Sequence, residues 1–338
     1  MGLSQRGFDL GDFMAHDIDL STGKPAIAYV GETPWHGLGD KLPDRAPIET
    51  WLKAAQLEWE LKRLPVQYLA DGKLRTMDDR FVLVRSDTHG ALSVVSGNYQ
   101  IVQPREVLEF YRDLMDLYEY TLETAGALDG GRKVWALAKT GMSGTADPDD
   151  GKDRLTAYVL LATSCDKTLA TTAAFTSIRV VCQNTLFFAM EDIKTGRQPQ
   201  IKVPHNLHFD ADRMKQSLGL MDVAWSGFVE KVRKMAIYPM KSAEASSFFE
   251  DLLLEKDDKA LSKKARREHE AINALFGSAP GQDLPTAKET LWGAVNAVTY
   301  YADHVRSGST GDRLDSAWFG TGYALKEKAW VKASKFVL

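Results

Sequence analysis

Between Thr171 and Leu186 the chain changes its hydrophobic period, and that change limits the folds open to it. Up to Thr176 the run consists of Thr, Ala and Phe and reads as a β-segment. From Ile178 onward, Ile178, Val181, Cys182, Leu186, Ala189 and Met190 fall at the three-and-four spacing of a helix. The expectation is a strand that turns straight into a helix, with the Thr176 and Ser177 hydroxyls capping its first amides. Arg179 and Gln183, four residues apart, then share the helix face turned away from the apolar stripe. They are either solvated side chains of an ordinary core helix, or one cation and one amide offered to a partner.

Before this stretch the chain reads mainly as strands. Leu61 to Tyr68, Arg80 to Ser86 and Leu92 to Ser96 form a meander around Asp71-Gly72 and His89-Gly90 turns. Tyr120 to Ala125, Arg132 to Lys139, Arg154 to Ala162 and Leu169 to Thr176 form a second β-block, interrupted by an acidic loop from Gly141 to Asp153. Helices are expected from Pro47 to Leu57 and from Pro104, where Val107, Leu108, Tyr111, Leu114 and Leu117 repeat at helical spacing. After Glu191, Ile193 to Phe209 reads as a linker, and Asp210 caps a long amphipathic helix carrying Met214, Leu218, Met221, Trp225, Phe228, Val232 and Met235. Ser242 to Glu255, Lys259 to Phe276, Thr286 to Arg306 and Arg313 to Lys335 are further helices. The fold class is therefore α+β, an antiparallel β-sheet domain with covering helices followed by an all-α helical region. It divides into an extended arm with a Trp-His-Gly loop (1–45), an α+β core domain (46–195) and a helical region (196–338).

No uninterrupted apolar run approaches the roughly 20 residues of a membrane helix, so no membrane association is expected. The segment Met1 to Leu20 has neither the basic lead nor the apolar core of a secretory signal, and only Cys165 and Cys182 are present; both point to a reducing cytoplasm. The net charge of -4 confines any nucleic-acid surface to a local basic patch.

The chemistry-bearing patterns are sparse. Among seven histidines only His205-x-x-His208 is close-spaced, and the pair lacks the third ligand of a zinc site. Neither a phosphate-cradling P-loop nor a Gly-x-Gly-x-x-Gly run occurs, and Gly37-Leu38-Gly39 stops short of both. No cofactor, no metal and no catalytic constellation is expected. Trp35 and His36 sit in an irregular Gly/Pro turn, either as a ligand loop or as a core plug with a backbone-bonded imidazole. Cys182 belongs to the apolar stripe. Cys165 lies in a hairpin turn where Lys167 either lowers its thiol pKa, contacts a phosphate, or simply occupies a turn tip. The basic run Lys263-Lys264-Ala-Arg266-Arg267 reads by default as a solvated, ion-paired helix face.

Strict alternation in the strand from Arg132 to Lys139 puts Lys133, Trp135, Leu137 and Lys139 on one face and Arg132 on the other. An aromatic between two cations is one way to hold single-stranded nucleic acid. Equally, Trp135 and Leu137 belong to a core whose edge the lysines protect.

Trp35-His36-Gly37-Leu38-Gly39, Tyr99-Gln-Ile-Val-Gln-Pro104, Gly130-Gly-Arg-Lys-Val-Trp-Ala-Leu-Ala-Lys139 and Ile178-Arg-Val-Val-Cys-Gln-Asn-Thr-Leu186 occur in this order, with Asn296-Ala-Val-Thr-Tyr300 and His304 further on. This ordered set resembles the phage/plasmid-like proteins of the domain-of-unknown-function 932 family, and the resemblance implies carriage on a mobile element. At the level of fold, curved antiparallel strands followed by a helix, with basic residues on the sheet, are similar to the single-strand annealing recombinases of phages. That likeness implies a ring or filament that pairs DNA strands without nucleotide hydrolysis.

The leading expectation is a homo-oligomeric protein that binds and anneals single-stranded DNA. Arg132, Lys133, Lys139, Lys167 and Arg179 would contact phosphates, Trp135 or Phe175 would stack on bases, and Gln183 or Asn184 would hydrogen-bond to backbone or base. The alternative is an interaction protein that blocks a host defence enzyme by nucleic-acid mimicry through Asp147, Asp149, Asp150 and Asp153.

Overall fold

A computed structural model describes residues 18–32, 34, 37–118, 120–149, 151–179, 184–187, 200–210, 212, 221–254, 260–306 and 313–338. Two sheets organise it. The larger contains β1 (Ile27–Tyr29), β2 (Asp40–Lys41), β6 (Thr121–Leu128), β7 (Lys133–Thr145), β8 (Arg154–Ser164), β9 (Thr171–Arg179), β10 (Asn184–Phe187) and β11 (Gln200–Val203). The strand order is β10-β9-β8-β7-β6-β1-β2, and β11 also pairs with β9. β1 and β2 run parallel, while the other pairs are antiparallel. The smaller sheet is β3 (Leu61–Ala70), β4 (Lys73–Arg85) and β5 (Ala91–Ser96) in sequence order.

Both faces of the larger sheet are covered, which explains why β8 reads as a nearly continuous apolar run rather than an alternation. On one face Leu155, Ala157, Val159 and Leu161 pack with Val107 and Leu108 of helix α2 (Pro104–Glu109) and with Tyr111, in the step between α2 and α3 (Arg112–Tyr118). α1 (Ile48–Ala54) adds Trp51 and Leu52 to the same core. On the other face Tyr158, Leu160 and Ala162 pack with Trp135, Leu137, Ala317 and Trp318.

The carboxy-terminal part is helical: α4 (Met221–Ile237), α5 (Ser242–Leu253), α6 (Lys263–Ser278), α7 (Leu291–Tyr300), α8 (Arg313–Trp318) and α9 (Thr321–Ser334). α7 is buried from Leu291 to Thr299 and continues as a π-helical turn, Tyr301–Val305. Its start is capped by Thr290, whose hydroxyl accepts from the Gly293 amide at 3.1 Å. The buried Lys326 Nζ lies 2.6 Å from the buried Asp303 carboxylate and joins α9 to that turn. Among the described residues, no helix is long and apolar enough to cross a membrane.

Five expectations need correction. Arg313 to Lys335 is not one helix but α8 and α9, separated at Phe319 and Gly320. The stretch after Thr176 does not become a helix at Ile178: β9 continues to Arg179, and Asn184–Phe187 return against it with Asn184 opposite Arg179. Thr171, Thr172, Thr176, Ile178 and Thr185 are β-branched, and pairing with β8 along eight residues outweighs a short run of helical spacing. The span Ile193 to Phe209 is not wholly a linker, since Gln200–Val203 pair with Ala174–Thr171 of β9. The helix from Pro104 is two helices, because Phe110 and Tyr111 interrupt it. β7 runs to Thr145, so the strand takes in the first residues of the expected acidic loop.

Candidate nucleic-acid interface

The strand β7 carries the alternation its sequence promises, but on the face with Lys133, Trp135, Leu137 and Lys139 the first three lie under other parts of the chain and Lys139 alone is exposed. Trp135 is 2% exposed and meets the Trp318 ring edge to face, with centroids 4.9 Å apart. Lys133 Nζ bonds Asp315 at 2.6 Å, and Lys139 Nζ pairs with Glu123 at 2.5 Å. Glu123 also accepts from the Tyr158 hydroxyl at 2.9 Å. Arg132, just before β7, pairs with Asp129 at 3.0 Å and donates to the Leu92 carbonyl at 3.2 Å. Phe175 is buried on the opposite face of the sheet. Arg179 and Asn184 are register partners at one end of β9 and β10, whereas Gln183 lies outside the described residues. Trp35 and His36 also lie outside them.

The β8–β9 turn holds Lys167 at the surface with a left-handed φ of 68°. Cys165 beside it is not an activated thiol. Burial, reinforced by the neighbouring Asp166, pushes it up to about 12, and its sulfur faces the Gly131 and Arg132 carbonyls. The acidic turn is also less available than its sequence implies. Asp153 is 1% exposed and accepts from Thr286 Oγ1 at 2.6 Å and Trp292 Nε1 at 3.1 Å, so it joins the sheet to the helices. Asp149 stays exposed, and Asp150 lies outside the described residues. His205 stacks on Tyr99 at 4.6 Å, with its ring nitrogens 3.0 Å from the Leu169 carbonyl and 3.2 Å from that of Gln100. Among the described residues, no group of three His, Cys, Asp or Glu side chains is arranged to hold a metal ion.

The exposed run Lys263, Lys264, Arg266 and Arg267 at the start of α6 is one surface with cations to offer, and the smaller sheet is another. Arg85 anchors its base: the guanidinium is 1% exposed, lies 4.3 Å above the Trp59 ring, and bonds Asp19, Asp87 and the Gly130 carbonyl. The Gln103 side chain serves both the amide and the carbonyl of Leu61, at 2.8 and 3.1 Å, as a neighbouring strand would. β5 pairs with β4 only from Val84 back to Arg80, so Val66 to Met77 stand beyond it as a two-stranded ribbon. A register shift at Pro65/Val66 leaves Asp78, Asp79 and Arg80 of β4 without partners in β3. The tip is a two-residue turn, Asp71-Gly72, with φ of 51° and 70°. Positive φ at both positions defines the turn that matches the twist of a hairpin.

Cross-strand partners share a face, so the ribbon has two distinct sides. One carries Val66 with Met77, Tyr68 with Arg75, and Ala70 with Lys73; the other carries Gln67 with Thr76 and Leu69 with Leu74. Tyr68 is 47% exposed. Lys62 lies on the Tyr68 side by the alternation of β3. Among the described residues no carboxylate pairs with Lys62, Lys73 or Arg75. Arg63 is occupied differently, donating to the Gly97 and Tyr99 carbonyls. The reading from sequence missed this ribbon because it left residues 73–79 unassigned. The signal was present: a two-residue Asp-Gly turn requires paired strand on both sides of it, and Lys-Leu-Arg-Thr-Met follows at once.

This α+β chain, with its doubly covered sheet, belongs to a recognised class. The family model described as Domain of unknown function (DUF932) matches residues 91–318, well over half of the chain, and the protein is a member of that family. The match begins at the first residue of β5 and ends at the last residue of α8. No curated protein and no solved structure matches the chain.

Proposed function

We propose that this protein acts in the cytoplasm for a phage- or plasmid-borne element, as a homo-oligomeric ring or filament that binds single-stranded DNA and anneals it in recombination or replication. Nucleotide hydrolysis has no part in this reading. The observation that carries it is the Tyr68 side of the ribbon, where an exposed ring lies opposite Arg75, with Lys73 toward the tip and Lys62 toward the base. Cations without carboxylate partners flank an aromatic, on a chain whose net charge is -4. Single strands are held by this pairing of phosphate-binding cations with a stacking platform. Lys167 supports the same reading, since its hairpin abuts β5 through the hydrogen bond from Ser93 to the Cys165 carbonyl.

The test is fluorescence anisotropy of a labelled oligonucleotide over a salt series. Affinity falls steeply with salt, and Lys73→Ala and Arg75→Ala each flatten the slope of log K against log salt by about 0.7. Tyr68→Ala weakens binding by about 1–3 kcal/mol with the slope unchanged. No retention of oligonucleotide at low ionic strength would sink the proposal.

A further inference from the structure

An antiparallel sheet with one face on a core ordinarily turns polar residues outward, and the smaller sheet does not. Its inner face belongs to the core, where Leu61, Leu83 and Val95 are buried. The outer face carries Leu64, Val82 and Val94 side by side, one from each strand, because Leu64 pairs with Val82 and Val82 with Val94. Val66 with Met77 and then Tyr68 with Arg75 are the next rows toward the tip. Leu64 and Val94 are each 47% exposed and Met77 40%, and among the described residues neither hydrophobic core includes Leu64, Val66, Val82 or Val94. A contiguous apolar face of this kind marks a binding surface.

The charges on that same face identify what covers it. Lys62 lies beyond the Leu64 row at one end, Arg75 and Lys73 at the other, and among the described residues no carboxylate pairs with any of the three. Carboxylates stand only at the margins: Asp71 in the turn, and Asp78 and Asp79 in the bulge of β4, where Asp79 is taken up by Arg80. A second copy of the chain laid on this face would set cations against cations, whereas a chain of regularly spaced anions bearing flat apolar groups meets both the cations and the rows. Rows of one face recur about every 6.6 Å, two residues of strand. That is about twice the roughly 3.4 Å between successive charges along one strand of a duplex, so a strand that sets one base on each row is drawn out and unstacked. A duplex keeps its bases inside and has none to lay on this floor.

We infer that the outer face of the smaller sheet holds single-stranded DNA in an extended, unstacked form, with bases on the Leu64–Val82–Val94 row, on Val66 with Met77 and on Tyr68, and phosphates on Lys62, Arg75 and Lys73. This rests on the reading of the protein as a single-strand-binding protein and adds the form in which the strand is held. Aliphatic rows offer no hydrogen bond to a base edge, so they carry no sequence readout. Bases held flat by one face keep their pairing edges free for a complementary strand.

The experiment places a fluorescent base analogue, whose emission rises on unstacking, in the middle of a single-stranded oligonucleotide. It compares the parent protein with the Leu64→Thr/Val94→Thr variant. Threonine keeps a β-branched residue's preference for strand, both positions are half exposed, and circular dichroism checks that the variant is folded. The parent protein raises the emission several-fold at saturation. The variant loses most of that rise and on the order of ten-fold in affinity, while its slope of log K against log salt is unchanged, since no phosphate contact is removed. A folded variant that keeps both affinity and the rise, or a parent that binds without raising the emission, overturns the extended strand and leaves the contacts of Tyr68 and the cations standing. Polyglutamate that displaces the oligonucleotide at equal charge concentration overturns it in favour of an acidic protein. Loss of a concentration-dependent increase in mass on sedimentation of the variant, with oligonucleotide affinity unchanged, overturns it in favour of a second copy of the chain. If the parent retains no oligonucleotide at low salt, the proposed function fails as well.

Discussion

Cys165 illustrates how burial settles a residue's chemistry. Its turn holds a lysine two positions away, which in sequence reads as a means of activating a thiol, yet the sulfur lies inside among backbone carbonyls. Burial raises the thiol to about 12, so at pH 8 it stays protonated. In a Cys182→Ser background, iodoacetamide therefore alkylates Cys165 in the folded protein at least about two orders of magnitude more slowly than in urea, as mass spectrometry over time will report. Equal rates would mean the turn opens. Trp135 makes the complementary point. Its side of the strand was legible from alternation, but the choice between base platform and core was not, because the ring that covers it, Trp318, lies far along the chain. Lys133 and Lys139 likewise looked free in sequence and are held by Asp315 and Glu123. Contacts between distant residues carry no local signature, so the ion pairing that occupies a candidate cation cannot be read from the strand that bears it.

At the scale of elements, legibility followed the source of each element's stability. The strands β6 and β8 and the helix α5 lay close to where period and turn residues placed them, since those local signals agree with the packing, whereas α7 starts five residues later than its spacing suggested and Arg313 to Lys335 is broken into α8 and α9. β9 departed furthest, because its ends are fixed by pairing with β8, β10 and β11 rather than by its own spacing. The ribbon was half legible: its turn was recognised, and one of the two strands the turn joins was left incomplete. α7 shows an element determined by close approach. At Gly293, in the first turn of the helix, an added Cβ would lie 1.9 Å from the Ala287 carbonyl oxygen. That neighbour is backbone and cannot rotate aside. Gly293→Ala accordingly lowers the unfolding free energy by about 1–3 kcal/mol or more in urea titrations monitored by tryptophan fluorescence, whereas helix propensity alone would predict a gain.

The molecule as a whole is organised by a sheet covered on both faces: α1 and α2 pack on one, in a core continuous with the carboxy-terminal helices, and Ala317 and Trp318 of α8 with Ile18 pack on the other. Asp153 fastens the two parts, since a buried carboxylate on the sheet receives hydrogen bonds from Thr286 and Trp292 of the helical part. Asp153→Ala deprives both donors of that acceptor and lowers stability by about 1–3 kcal/mol, while Asp153→Asn, which keeps an acceptor oxygen, loses less; thermal melts compare them directly. Equal losses in the two variants would show that the carboxylate's charge, not its hydrogen bonds, makes the joint. The α+β class followed from composition and periodicity, but this joint did not, because it links residues more than a hundred positions apart. The ribbon stands apart from these closures. It leaves the body and returns to it along paired strands, so each residue removed from one side can be matched by one from the other without disturbing the register below. Its reach is therefore an independent length: inserting or removing one residue pair lengthens or shortens the ribbon while the covered sheet beneath stays the same.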